Sequence, residues 1–176
     1  MNINIKNTRC NTWKDVGNSH NYKTEVEKVL SSAVAGTSVM TLFSYAVSES
    51  KSENFREPDV LAKMLINLKP SVNKEKARFA GWTTHYATGV LFAFIFYQLW
   101  QRGTLEPNLK NALILGAASG IFGIIIWKVT FKIHPNPPSI KVTKYLGHLF
   151  LAHLVFGAFA LFGYKLFRSK KSYLSM

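Results

Sequence analysis

Three of the chain's five histidines, His85, His148 and His153, fall inside long apolar stretches, and a fourth, His134, lies just after one. An ionisable side chain is costly to hold in hydrocarbon, so a histidine within such a stretch calls for a partner or a function. Imidazole binds zinc, copper and iron, and histidines on facing helices are how cofactor sites are built inside helical bundles. His148 and His153 are five residues apart, about 140° around a helix, so they do not share a face. No Asp or Glu lies within any of the apolar stretches to complete a carboxylate-rich site or proton relay. The favoured expectation is therefore neutral histidines bonded across helices to hydroxyls such as Thr84, Thr88 or Ser119, or to a carbonyl. No cofactor and no metal site is expected; haem or a metal ion is the lesser alternative.

The elements that must position these residues are four apolar segments, 29–47, 79–100, 109–131 and 145–167. A hydrocarbon core of about 30 Å takes roughly 20 helical residues, and the last three segments meet that length without an acidic residue. The first is shorter and rich in Ser and Thr, so its insertion leans on its neighbours. Chain-average hydropathy is close to neutral, because polar tails and one polar loop dilute the four spans. The expected fold is an all-α integral membrane four-helix bundle, with a polar tail (1–28), a membrane domain (29–167) and a basic tail (168–176). With a rise of about 1.5 Å per residue, His85, His148 and His153 lie in one leaflet half, close to His134.

Between the first two spans, Glu57-Pro58-Asp59 supplies a helix start. Val60, Leu61, Met64, Leu65 and Leu68 then recur at helical spacing, predicting a short amphipathic helix over about 58–69 that lies in the interface. Three prolines within Pro135–Pro138 predict a stiff, extended loop between the last two spans.

Small residues point to close helix approach. Gly116, Gly120 and Gly123 line one face of the third span, and Gly36, Gly89 and Gly157 thin the others. Thr37, Thr41, Ser44 and Ser48 form a helically spaced stripe, read as an interface rather than a conduit. Setting His85 over His153 also superposes Gly89 on Gly157 and Phe94 on Phe162, while Gly36 answers Gly116. That echo suggests two helical hairpins related as parallel repeats.

The formal net charge of +13 comes mainly from Lys and Arg outside the spans, which suits anionic lipid head groups and not base reading. No nucleic-acid partner is expected; the lipid bilayer is, with a second copy or another membrane protein as the candidate protein partner. Single Cys10 excludes an internal disulfide and any multi-cysteine metal site. No cleavable signal peptide is expected, since Met1–Lys28 lacks an apolar core. Lys and Arg tie at eleven on each side of the membrane; the basic cluster abutting the last span favours both termini in the cytoplasm. Phosphate-binding glycine loops, His-Glu-x-x-His and nucleophile elbows are absent from the sequence, so a non-enzymatic protein is expected.

The run Ala35–Leu42, the Gly81-Trp82-x-x-His85-x-x-x-Gly89 start of the second span and Gly147-His148 resemble a group of small four-span bacterial membrane proteins of unknown function, across roughly residues 30–167. The resemblance implies a bacterial inner-membrane location and carries no activity. The functional expectation is a structural or partner-binding membrane component. Its rivals are a small transporter or channel-like protein with a histidine-lined cavity, and a haem- or metal-binding membrane protein.

Overall fold

The structure, a computed structural model, describes residues 6–173, with side chains from Tyr22 to Leu166. It contains five helices and, among the described residues, no strand: α1 (Lys6–Lys51), α2 (Glu57–Leu68), α3 (Lys74–Gln101), α4 (Leu109–Ile133) and α5 (Val142–Tyr173). Three of them, within Tyr22–Lys51, Leu109–Ile133 and Val142–Leu166, are long and apolar enough to cross a membrane. α3, the segment at 79–100, is not among these, because Thr83, Thr84, His85, Tyr86 and Thr88 dilute its first half.

Helix ends follow local chemistry. Asn73 and Asn108 cap α3 and α4, their side chains accepting the backbone N–H groups of Glu75 and Asn111. Pro58 sits in the first turn of α2, where a missing N–H costs nothing, and the acids Glu57 and Asp59 suit the positive end of the helix dipole. α1 ends at a left-handed Ser52, and the turn from α3 to α4 uses Gly103 at φ +70°. The segment expected as a polar tail is helical from Lys6 onward; the side chain of Cys10 and those of the basic tail, 168–176, lie outside the described residues.

Packing sets the helices in the order α4–α5–α1–α3, with α2 laid against α3. Glycines make the closest approaches. A Cβ on Gly163 would run into the Ser31 carbonyl of α1, and one on Gly157 into the Ala112 carbonyl of α4. Gly81 of α3 likewise admits the backbone of α2 at Pro58 and Ala62. The two largest apolar clusters lie at opposite ends, one around Phe96, Trp100, Phe156 and Tyr164, the other around Phe55, Val60, Tyr145 and Leu149.

The α4–α5 connection is extended through its prolines, as expected, and is fastened to α2. The His134 Nε2–H donates to the Met64 carbonyl (3.0 Å), its Nδ1 accepts from the Asn136 N–H (3.2 Å), and Asn67 donates to the Asn136 carbonyl (3.0 Å). α2 is thus held from two sides. α3 and α4, though consecutive in sequence, barely touch, meeting through the edge-to-face pair Phe92–Phe122, with centroids 6.3 Å apart. That unsealed seam creates the candidate site.

Candidate functional site

A cavity of about 330 Å³ lies between α3 and α4, floored by α1 and α5 and closed at one end by α2. Its walls are largely apolar, including Met40, Leu61, Phe92, Trp127 and Phe156, while Glu57, His85, His153 and Thr37 bring polar atoms to its buried end. Leu91, Phe122 and Ile126, all about half exposed, line its mouth. The opening therefore faces sideways, in the direction that a bilayer would occupy.

The polar end is organised around His85. Thr41 donates its one hydroxyl hydrogen to the Thr37 carbonyl at 2.6 Å, so its oxygen is left to accept. His85 Nε2, 2.9 Å from that oxygen, must then carry a hydrogen. Its other nitrogen, Nδ1, lies 3.1 Å from Glu57 Oε2, and both side chains are buried. Two bare lone pairs cannot face each other at that distance, so a proton sits between them, and the pair carries no net charge. Burial works to raise the Glu57 carboxyl, but its contact with His85 outweighs burial and holds it below the usual carboxylate range. The arrangement is one proton held between a histidine on α3 and the carboxyl at the first residue of α2, where the helix dipole also favours negative charge.

His153 is held differently. Its Nδ1–H donates to its own-helix carbonyl at Leu149 (2.8 Å), which leaves Nε2 as an acceptor without a protein partner among the described residues. Gly123 and Gly120 give the ring its space, since added Cβ atoms there would crowd it. Thr37 completes the set: it is 1% exposed, and its hydroxyl has no hydrogen-bond partner among the described residues. Gly89 faces it, and a Cβ at that position would collide with the hydroxyl.

Of the four histidines expected to cluster, two share a site and two lie apart from it and from each other. His85 and His153 line the cavity. His148 lies outside it, stacked between Phe43 and Phe55 (centroids 5.2 and 4.6 Å), with Nε2 2.9 Å from the Ser44 hydroxyl. His134 spends both ring nitrogens fastening the proline loop. Among the described residues, no group of three or more His, Cys, Asp or Glu is placed to hold a metal ion.

The hydroxyl partners also differ from those expected. Thr88 bonds the Thr84 carbonyl and Ser119 the Gly116 carbonyl, each satisfied within its own helix. It is the α1 stripe that serves the histidines, through Thr41 and Ser44, while Ser48 accepts the Phe55 N–H. Thr84 and Thr88 nevertheless line the cavity.

Glu57 is the residue that reading along the spans misses, because it belongs to none of them. A signal was present in Gly81 and His85, four residues apart on one α3 face, with the small residue leaving room for a second helix. The acid that opens α2 is then delivered onto the histidine.

No protein-family model, curated protein or solved structure matches the chain.

Proposed function

We propose that the protein is a four-span integral membrane protein, with α1, α3, α4 and α5 crossing the bilayer, that binds an apolar small molecule admitted sideways between α3 and α4. The observation that carries this is the cavity itself: apolar walls, a lipid-side mouth and a few convergent polar groups are the features of a small-molecule site. Support for α3 as a span comes from its 28-residue length and from Leu91, Phe94 and Ile95, which are exposed on its flank. The polar residues that weaken its apolar character, Thr84, His85 and Thr88, belong to the cavity wall, where membrane helices keep such groups.

The hairpins α1/α3 and α4/α5 support the repeat relation: Gly89 of α3 meets Thr37 of α1, and its counterpart Gly157 of α5 meets Gly116 of α4. On this reading the two hairpins close one long seam and leave the other open. The bacterial inner membrane, with both termini in the cytoplasm, is the location we assign. α2 and the proline loop then cap the bundle on the far side. The reading is non-enzymatic, and places ligand binding ahead of a purely structural role because, among the described residues, His153 Nε2 and the Thr37 hydroxyl have no protein partners.

Native mass spectrometry of protein released gently from its host membrane is the test. Wild-type chain is expected to carry a small apolar adduct, and Gly123→Leu, which fills the space beside His153, to lose it. Bare chain in both samples would overturn the reading.

A further inference from the structure

The hydrogen-bond inventory of the cavity's buried end narrows the class of ligand. Both ring nitrogens of His85 are engaged, one facing Glu57 and one donating to Thr41. The single N–H of His153 is committed to Leu149. Among the described residues, what stays open is acceptor capacity at the cavity-lining His153 Nε2 and second Glu57 oxygen, together with the buried, unpartnered Thr37 hydroxyl, which can donate or accept. Acceptors that face a largely apolar space without a donor are costly, and an O–H or N–H on the occupant would satisfy them.

Water and ammonium are the simplest donors, and neither fits. At about 30 Å³ per molecule, roughly ten waters would be needed to fill the space, each wanting two to four polar partners, and most of the lining surface is apolar. An ammonium group would be an unpaired charge in an apolar site, because the Glu57–His85 pair is already neutral. A neutral hydroxyl on an apolar body meets both demands, and it reaches the mouth through lipid.

We infer that the cavity takes a lipid-soluble phenol or alcohol, its hydroxyl donating to His153 Nε2 or Glu57 and accepting from Thr37, and its apolar body lying between Phe92, Phe122 and Ile126. The inference rests on the ligand-binding reading above and adds the polarity of the recognition: the protein accepts and the ligand donates.

Full-length protein in lipid nanodiscs provides the test, with radiolabelled 4-octylphenol as the probe and empty nanodiscs as the partition control. The methyl ether of the same phenol keeps the apolar body and lacks the donor. Saturable phenol binding is expected, with the ether at least about tenfold weaker, the worth of one hydrogen bond of about 1.4 kcal/mol. His153→Leu should weaken phenol binding several-fold and leave the ether unchanged, whereas Thr37→Val, nearly isosteric, should weaken both, since the ether oxygen still accepts. Equal binding of phenol and ether would overturn the donor assignment while leaving the apolar cavity standing. Absence of saturable binding by both would overturn the ligand-binding reading with it.

Discussion

Along the seam between α1 and α5, Gly163 brings one backbone onto another at Ser31, the Ser31 hydroxyl donates to the Gly163 carbonyl at 3.0 Å, and Gly36 receives the Phe156 ring. Across the bundle, α3 and α4 present the same residue types, Gly89, Gly123, Thr84 and Thr88, yet enclose a cavity. Small residues bring helices together where their backbones meet. Where α3 and α4 line the cavity they face side chains instead: Gly89 makes room for the Thr37 hydroxyl, and Gly123 for the His153 ring. The same composition therefore seals one seam and furnishes the other, and the difference lies in what stands opposite.

The largest break in that comparison should come from the buried pair at the cavity's end. Removing one partner of a buried ion pair leaves an uncompensated charge and costs about 3–5 kcal/mol. His85→Leu and Glu57→Leu should each lower the unfolding midpoint in detergent sharply, while the double substitution recovers much of the loss. Additive effects would mean that the two side chains act independently. The pH dependence carries the same signature. The folded Glu57 pKa is below its ordinary value, so its contribution is complete above the normal carboxylate range and is lost as pH falls through the depressed value. Glu57→Gln should flatten the acid limb of the stability curve; an unchanged limb would place the acid sensitivity elsewhere.

Next in size is the closed packing. Gly163→Leu pushes side-chain atoms into the α1 backbone at Ser31, and overpacking of this kind costs about 1–3 kcal/mol or more. Gly123→Leu, facing cavity and ring, should cost less, as the thermal midpoints of the two variants would reveal. Equal losses would contradict the contrast between seams.

The smallest effect belongs to the interface outside the membrane. Glu53 receives Lys144 and Lys141 at 2.7 and 2.9 Å, and these bonds hold its carboxyl below the ordinary range and raise Lys141. Both lysines are well exposed, so water and salt screen the cluster. Glu53→Gln should leave the melting curve unchanged at physiological salt, and a clear shift would show that the α5 entrance depends on it.

Much of this arrangement could be read from the chain. The three spans in α1, α4 and α5, the helix opening at Glu57-Pro58, the proline loop and the buried threonine–serine stripe all follow from local composition and period. The partners of the histidines do not, since they depend on which faces meet. Thr41 reaches His85 and Ser44 reaches His148 because α1 lies between α3 and α5. Glu57 reaches His85 because Gly81 lets α2 settle on α3. α3 is the ambiguous element for a related reason: its polar half is understandable once Glu57 and the cavity are in place, and reads as dilution of a span without them.

Light-driven labelling by a small aliphatic diazirine dissolved in the bilayer, mapped by mass spectrometry, tests the open seam most directly. Label is expected on Leu61, Phe92 and Trp127 within the cavity, with Ala33, Ala160 and Leu161 of the α1–α5 packing left untouched. Cavity residues labelled no more than those three would contradict an opening from the lipid between α3 and α4.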